Sequence, residues 1–459
     1  MATLSEIKRR PVYNPWRLKE VKLVGNSDEF SSSAGLQPML DLFYHSAWMK
    51  KFETCLPARV SNGSYDTAAF GLLLFAGFLV GYDCLDDLVA FQKDPLIREK
   101  FGDVPVPKAF GDWLRDFTNS GLDGLNDLLC TQSFEIRDRL AKNAPFTLDV
   151  DSTSHVQRGK KIEGVDFNYK NEWCLDSLNA YDELGLSYGM QLRPGNTFSS
   201  QGGAQMIDRI FSKLPYKKKK LLRGDSAFCE EDSMRAAIRH NAKFTLTAHD
   251  RIGWQQKAQN IPDSSWISWQ WSEAEKQQAQ KRGLELPTVE LSSMRYQPEW
   301  TEGLWFTIII KRTWGLDKKL KQWRWFYYAV LTNWDTFYHP LQKVMEFHHG
   351  RGNSENFIRE SKYGYDLKHF PCLKLSANHA YGLIALLVQN FLRALSLLDN
   401  PRNPHFSKKI RRKYVFIPGK LIRHAGQWMM KIANHDKKEV DQLTHAWAAA
   451  FSPVLAQAG

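Results

Sequence analysis

One fifteen-residue stretch, HHGRGNSENFIRESK at 348–362, gathers acidic and cationic side chains that could act on a phosphate ester. Arg351, Glu355 and Lys362 follow one another at spacings of four and seven residues, so on a helix they share one face. This face has two interpretations. It is either a solvated row of weak ion pairs, or an acid directed at a metal ion and flanked by cations directed at phosphates.

Two further acids lie where strands are predicted. Asp151 follows the alternating pattern PFTLDV, and Asp225 follows a second apolar segment, KKLLRG. Taken singly, an Asp at a strand end is more often a turn or cap residue. Together with Glu355, however, the two acids can hold two divalent cations, because hard cations such as Mg²⁺ prefer oxygen ligands. Two metals about 3.5–4 Å apart suit phosphodiester displacement. Asp149, on the same strand face as Asp151, is an alternative first ligand.

The charge balance of the chain indicates a polyanionic partner. Among 459 residues, Lys and Arg number 62 and Asp and Glu 50, which gives a net charge of +12 and an isoelectric point near 9.2. A basic protein of this size, with ordinary globular composition, is typical of nucleic-acid binding and less often of binding to an anionic membrane.

Other classes of protein are disfavoured. The longest apolar run, 68–81, is shorter than the roughly 20 residues of a membrane span, so we expect a buried helix there. No apolar segment follows the basic N-terminus as in a signal peptide. The six cysteines are scattered without a CxxC pair, which argues against a cysteine zinc site and a disulfide framework. We therefore expect a cytoplasmic protein with no membrane partner.

Periodicity divides the chain into regions that together predict an α/β protein. Apolar residues recur at helical spacing before residue 141, strands and helices mix up to 249, and tryptophan-rich strands follow. The predicted regions are a basic N-terminal arm (1–35), a helical domain (36–140), a first part of the core (141–249), a mostly β insertion (250–342), a second part of the core (343–400) and a basic C-terminal helical region (401–459).

The tryptophans of the insertion leave two interpretations open. Most are expected in the core of a β subdomain, but one could stack on an unpaired base. The candidates are Trp254, Trp266, Trp269, Trp271, Trp300, Trp305, Trp314, Trp323 and Trp325.

The spaced set of motifs resembles bacterial insertion-sequence transposases with an RNase H-like catalytic domain and a DDE triad. Arg351, Glu355 and Lys362 match the spacing of their Tyr-Arg-Glu-Lys signature, with His348 at the Tyr position. DVDST and LRGDSAF match the segments that carry the first two acids, and the Asp-x-Thr pattern favours Asp151 over its neighbour. The insertion resembles that of the insertion sequence four superfamily, and the details look closest to its thirteen-eighty branch.

The resemblance implies a function for each part. Asp151, Asp225 and Glu355 would bind two Mg²⁺ ions, for which Mn²⁺ can substitute, and would catalyse DNA cleavage and strand transfer. His348, Arg351 and Lys362 would hold the flanking phosphates without reading sequence. The helices of 36–140 would bind the terminal inverted repeats, and a homodimer or larger assembly would join these ends to target DNA in the bacterial nucleoid.

A basic cluster near the C-terminus offers a further DNA contact. Lys408, Lys409, Arg411 and Arg412 lie in SKKIRRKYVF, between Pro404 and Pro418. They are either phosphate ligands or a solvated charged segment.

Two other functions remain open. The first is an RNase H-like nuclease that cuts DNA without joining it, which only a strand-transfer assay separates from a transposase. The second is a DNA-binding regulator that has lost catalysis, against which the intact set of acids argues.

Overall fold

The computed structural model describes residues 28–58 and 65–451. Residues 1–27, most of the predicted N-terminal arm, lie outside the described residues. The remainder of the arm contains a short strand, β1 (Phe30–Ser31).

Helices occupy the region before residue 141, as predicted. Local signals explain several of their starts. The Asp94 carboxylate accepts hydrogen bonds from the Leu96 and Ile97 amides, and the Thr118 side chain caps the longest helix of this region. The helices are α1 (Leu36–Tyr44), α2 (Ala47–Cys55), α3 (Thr67–Val80), α4 (Pro95–Phe101), α5 (Pro107–Arg115) and α6 (Asn119–Leu140).

The centre of the protein is a mixed sheet with helices beside it. Strand β4 (Trp173–Asp182) runs antiparallel to both β5 (Ser187–Pro194) and β2 (Phe146–Val156). Strands β2, β6 (Lys220–Gly224) and β7 (Lys243–Thr247) are parallel to one another. This arrangement is compatible with the predicted RNase H-like core, and the predicted α/β class is confirmed. The elements are β2 (Phe146–Val156), β3 (Asp166–Phe167), β4 (Trp173–Asp182), β5 (Ser187–Pro194), α7 (Gly203–Phe211), β6 (Lys220–Gly224), α8 (Glu231–Arg239) and β7 (Lys243–Thr247).

The predicted β insertion extends this sheet. Its last strand pairs antiparallel with β7 through Val330–Thr332, so the ladder continues into one ten-stranded sheet. The elements are α9 (Trp254–Gln259), β8 (Ile267–Ser268), α10 (Glu273–Lys281), β9 (Val289–Tyr296), β10 (Phe306–Asp317) and β11 (Gln322–Thr332).

The C-terminal region differs from its prediction in one element. It was expected to be helical, but it contains a β hairpin whose first strand pairs with β1, which joins the two ends of the described chain. The elements are α11 (Leu341–His349), α12 (Gly352–Gly364), α13 (Leu375–Asp399), α14 (Ser407–Ile410), a π-helical turn (Arg411–Val415), β12 (Gly419–His424), β13 (Gln427–Lys431) and α15 (Asn434–Phe451).

One hydrophobic core connects the N-terminal helices, the sheet and α13. Phe43 stacks on Phe75 with ring centroids 4.0 Å apart, and both contact Phe391 of α13. Helix α13 is long and apolar enough to pass a test for a membrane span, but 94% of its most apolar window is buried inside the protein. It therefore packs as the central helix of the core.

Strand β4 escaped prediction because it breaks the alternation of polar and apolar residues. Nine of its ten residues are buried, including Asp176, Asn179 and Asp182. The carboxylate of Asp182 is fully buried and accepts from Arg137 of α6 at 2.9 Å. The sequence of this strand is partly polar although both of its faces are buried, because internal ion pairs and hydrogen bonds satisfy the polar side chains.

We expect Arg137→Leu to lower the free energy of unfolding by about 3–5 kcal/mol, because it leaves the buried Asp182 carboxylate without its cation. Urea unfolding followed by circular dichroism measures this. Arg139→Leu, two residues along the same helix and exposed, is the matched control and should change stability by no more than about 0.5 kcal/mol. Equal effects of the two substitutions would show that the ion pair does not stabilise the sheet.

Candidate active site

Two neighbouring parallel strands place Asp151 and Asp225 side by side. The β2–β6 ladder runs in register up to Val150 and Gly224. Asp151 is the next residue of β2, and Asp225 directly follows the last residue of β6. Adjacent parallel strands direct in-register side chains to the same face. Asp225 also caps a short 3₁₀ turn by accepting from the Ala227 amide at 2.9 Å. Asp151 lies within β2, which was predicted to end there, because the pairing with β4 continues to Val156.

Asp149, the alternative first ligand, is engaged in a buried ion pair. Both of its carboxylate oxygens accept from Arg223, at 2.6 and 2.7 Å, and only 1% of the residue is exposed. Burial raises the pKa of Asp149 to about 6, and the Arg223 guanidinium opposes that rise. Asp149 therefore has no free oxygen for a metal and belongs to the support of the site.

The stretch at 348–362 forms two helices, not one. Helix α11 ends at His349, and α12 begins at Gly352 with Arg351 at its N-cap position. The junction lies directly against Arg223, which donates to the Phe347 carbonyl at 3.0 Å. A Cβ at Gly350 would collide with the same guanidinium, so this close approach requires glycine.

Arg351 connects the first and third acids. Its guanidinium lies 3.6 Å from the Asp151 carboxylate and 3.1 Å from that of Glu355. The Glu355 side chain is 54% exposed, whereas that of Asp151 is only 15% exposed. The junction between α11 and α12 thus brings the acid of the helix to the edge of the two strands.

The acids share one electrostatic environment. The pKa of Asp151 is raised to about 7, first by burial and then by the negative charges of Asp225 and Glu355, while Arg351 lowers it. Like charges that approach one another favour protonation unless a cation neutralises them. Ionisation of Asp151 is therefore unfavourable in the absence of a metal, and a bound cation would stabilise the ionised carboxylate.

The donor set fits a hard divalent cation. All three acids supply carboxylate oxygens, the ligands that Mg²⁺ prefers. As the side chains stand, no group of three Asp, Glu, His or Cys within residues 28–58 and 65–451 is placed to hold a metal ion. At the three acids, the Arg351 guanidinium contacts both Asp151 and Glu355. The three acids match the predicted cation in ligand type and charge. Because the Glu355 side chain is exposed, it has room to move towards a bound cation.

His348, predicted as a phosphate donor, lies inside the protein. It is 1% exposed, and its ring contacts Thr245 on one side and the Tyr328 hydroxyl, at 2.8 Å, on the other. Burial lowers the pKa of His348 to about 3, so the ring is neutral. Both ring nitrogens hold α11 against β7 and β11, so the ring is not exposed to a phosphate in this structure, and a phosphate contact by His348 stays a prediction.

Sequence reasoning missed Tyr328, which lies on β11 next to this histidine. Burial raises the pKa of Tyr328, and both Arg351 and Asp225 are close enough to affect it. The hydroxyl also contacts Thr247 at 3.0 Å. The alternation of β11 could have predicted which face of the strand carries Tyr328. Its proximity to His348 and Arg351 could not be predicted, because it depends on how the sheet packs against the junction of α11 and α12.

Lys362 ties α12 to β2. Its ammonium group donates to the Thr153 hydroxyl and to the Ser154 carbonyl, both at 2.6 Å. Burial lowers the pKa of Lys362, while nearby carboxylates, including Asp151, raise it. Two of its three hydrogens are used within the protein, which leaves one for a phosphate.

The basic cluster of the C-terminal region divides into two groups. Lys408, Lys409 and Arg412 are exposed. Arg411 is buried, donates to the Phe78, Leu79 and Gly364 carbonyls and lies over the Tyr365 ring. This side chain satisfies the carbonyls at the ends of α3 and α12, so it is not exposed to DNA in this structure, and a DNA contact by Arg411 stays a prediction.

The tryptophans of the insertion also differ in burial. Trp254 and Trp266 are buried, and the Arg312 guanidinium lies between the rings of Trp266 and Trp325, at 4.2 and 4.3 Å. Trp314 and Trp323 stack on the exposed part of the β10–β11 hairpin. Both core and exposed classes are present.

A mixed sheet that brings two aspartates together, with a helix that adds a glutamate, is compatible with the catalytic core of an RNase H-like enzyme. A family model described as "Transposase DDE domain group 1" matches residues 14–449. The chain belongs to this family of DDE transposases, which implies a transposition enzyme that acts on DNA, and members of the family typically use divalent metal ions. A comparison with curated proteins found no significant match.

The pKa of Asp151 predicts an unusual pH dependence of stability. Its folded-state value of about 7 exceeds the ordinary 3.8, so the folded protein binds this proton more tightly and loses stability as pH rises between those values. Without metal, we expect Asp151→Asn to raise the free energy of unfolding at pH 8 by a few kcal/mol, and by less at pH 5. Urea unfolding in EDTA at the two pH values measures this.

Asp138→Asn, at an exposed position of α6, is the control and should change the free energy of unfolding by no more than about 0.5 kcal/mol at either pH. Destabilisation by Asp151→Asn at pH 8 would contradict the electrostatic description of the site.

Proposed function

We propose that the protein binds the ends of an insertion sequence, cuts the DNA there and joins the released ends to target DNA. The observation that carries this proposal is the placement of Asp151 and Asp225 in register on parallel strands, with Glu355 brought to them by the α11–α12 junction. Asp151, Asp225 and Glu355 would hold two Mg²⁺ ions. Bound there, the metals would supply a Lewis acid that stabilises charge on the attacking and leaving oxygens.

The remaining residues act on the DNA and on the acids. Arg351 lies at the acids and can reach a phosphate held there, and Lys362 has one free hydrogen beside β2. Both contacts would fix the DNA backbone without reading its sequence. The nucleophile is water for cleavage and a DNA 3′-hydroxyl for joining.

The site of action follows from the substrate. Such an enzyme acts on the nucleoid in the bacterial cytoplasm, and two DNA ends require at least two copies of the chain if each copy cuts one end. The helices before residue 141 are the candidates for recognition of the terminal repeats. A copy-out route would use the same residues.

We expect Glu355→Gln to abolish cleavage and keep DNA binding, because it removes the negative charge of a metal ligand but hardly changes the shape of the side chain. The rate on a duplex with the element's own terminal repeat should fall by more than about 100-fold, since loss of even an outer-shell partner of a metal ligand costs 10–100-fold. Denaturing gels measure cleavage, and mobility shifts measure binding. Glu346→Gln on α11, an acid paired with Lys343, should cut normally. Wild-type cleavage by Glu355→Gln would refute the triad.

Joining separates a transposase from a nuclease. Pre-cut ends with a free 3′-hydroxyl, incubated with a supercoiled plasmid and Mg²⁺, should insert into the plasmid. Cleavage without insertion would favour the nuclease without joining activity, and neither activity would favour a DNA-binding regulator.

The exposed cations of the C-terminal cluster should contribute to DNA affinity through salt-dependent interactions. Replacement of Lys408, Lys409 and Arg412 by Ala should reduce the slope of log affinity against log salt by about 0.9 for each phosphate that the protein no longer neutralises. Anisotropy titrations at several salt concentrations measure this. Lys276→Ala, on α10 and paired with Glu273, is the control. An unchanged slope in the triple variant would make the cluster a solvated segment.

A further inference from the structure

A cleft opens beside Asp225 on the side of the acids formed by β2. Its volume is about 410 Å³, within the range of roughly 300–1,000 Å³ for ligand pockets. One wall is the turn between β3 and β4, and the other is the segment that follows β5. Its lining includes Ser152–Ser154, Phe167, Tyr169, Asn196, Phe198 and Asp225.

Exposed aromatic side chains lie at the edges of this cleft. Tyr169 is 83% exposed and Phe198 is 82% exposed, and they come from opposite walls. Phe167, beside Tyr169, is 56% exposed. Single exposed aromatics are common, but three around one cleft form an apolar surface that gains free energy when a ligand covers it.

The turn that carries Tyr169 is fixed by hydrogen bonds. The Asn168 side chain accepts from the Lys170 and Glu172 amides, at 2.9 and 3.0 Å. Asn196 of the other wall donates to the Asp166 carboxylate at 2.7 Å, which connects the two walls. The aromatic rings are therefore carried by ordered backbone.

The second wall is anchored to the sheet. Arg193 donates to Asp176 at 2.7 Å and also to the Ser199 and Gln201 carbonyls. A Cβ at Gly195 would collide with the carbonyl oxygens of Asp166 and Cys174, so only glycine lets the walls approach this closely. A cleft with fixed walls loses little conformational entropy when a ligand enters.

The charges along the first wall suit a phosphate backbone. Arg158, Lys160, Lys161 and Lys170 are exposed, and none of the four forms an ion pair within the part of the chain that the structure describes. The Lys170 ammonium group lies 5.3 Å from the centre of the Tyr169 ring. The acids of this segment accept hydrogen bonds: Glu163 from the Leu375 amide, Asp166 from Asn196, and Glu172 from Ser154 and Asn168. Exposed cations beside aromatic rings are the pattern of single-strand binding.

We propose that this cleft binds one or two unpaired nucleotides next to the scissile phosphate and stacks their bases on Tyr169 and Phe198. A paired base is stacked within its duplex and cannot use these rings, so the occupant is a DNA strand that has separated from its partner. Because Asp225 and the segment Ser152–Ser154 belong to both the cleft and the acid site, the proposal rests on the proposed function and specifies where the strand lies.

The test uses the full chain and a single-stranded, fluorescein-labelled oligothymidylate of about 12 nucleotides, close to the site sizes of single-strand binders. Fluorescence anisotropy in EDTA measures affinity without cleavage. We expect the double variant Tyr169→Ala with Phe198→Ala to bind at least about tenfold more weakly. The salt slope should stay unchanged, because the phosphate contacts remain. Replacement of both rings by Trp should keep the wild-type affinity.

Phe337→Ala is the control, because Phe337 is as exposed as the two cleft aromatics (87%) but lies away from the cleft. It follows β11, which finishes near the N-terminal ends of β6 and β7, whereas the acids lie at the C-terminal end of β6. It should bind as wild type. The proposal is overturned if the double Ala variant binds as tightly as wild type, if the Trp variant binds as weakly as the Ala variant, or if wild type does not bind the oligonucleotide. Binding in EDTA is independent of cleavage, so failure of the triad would leave this result unaffected, and the reverse also holds.

Discussion

The buried ion pair between Asp149 and Arg223 fixes the positions on which the rest of the site depends. It lies one layer below the two candidate catalytic aspartates, on the same face of β2 and β6, and it joins the two strands across their parallel ladder. Arg223 also donates to the Phe347 carbonyl, so the same side chain holds the end of α11. One guanidinium therefore sets the relative placement of three elements that carry Asp151, Asp225 and Glu355.

A buried ion pair is a costly way to stabilise a fold, since desolvation offsets most of the attraction. Its value here lies in geometry. An apolar pair of similar volume could fill the same space but could not bind the helix carbonyl and the strand carboxylate at once. Above this layer the charge is unbalanced. The pKa of Asp151 is raised by burial and by its acidic neighbours, and the Arg351 guanidinium offsets only part of this. The support layer is thus neutralised internally, whereas the acid layer is left to attract cations.

The sequence predicted the parts of the molecule that follow from local pattern. Alternation located β2 and an apolar segment located β6. Together with the mixture of strand and helix patterns up to residue 249, this made the α/β class accessible. The family was accessible because its motifs keep fixed spacings. The roles of the individual site residues remain predictions, although the structure shows why Asp149 is unsuited to bind metal.

The features that the sequence did not predict have a common physical cause: each depends on partners that are distant in sequence. Strand β4 was missed because Asp182 is neutralised by Arg137 of another element. His348 and Arg411 were predicted as DNA contacts because they are polar residues in basic segments. In this structure, burial against β7, β11 and the end of α3 turns both inward. The hairpin of β12 and β13 could not be predicted from a segment whose basic residues suggested a charged helix.

The most direct test of the central claim, that the three acids form one cation site, is cleavage of the protein backbone by Fe²⁺ bound in place of Mg²⁺. With ascorbate and peroxide, radicals formed at the bound iron cut the nearby chain, and mass spectrometry locates the breaks. The account predicts breaks near Asp151, Asp225 and Glu355 that excess Mg²⁺ suppresses and that Asp225→Asn removes. Breaks confined to other parts of the chain, or an unchanged pattern in Asp225→Asn, would contradict it.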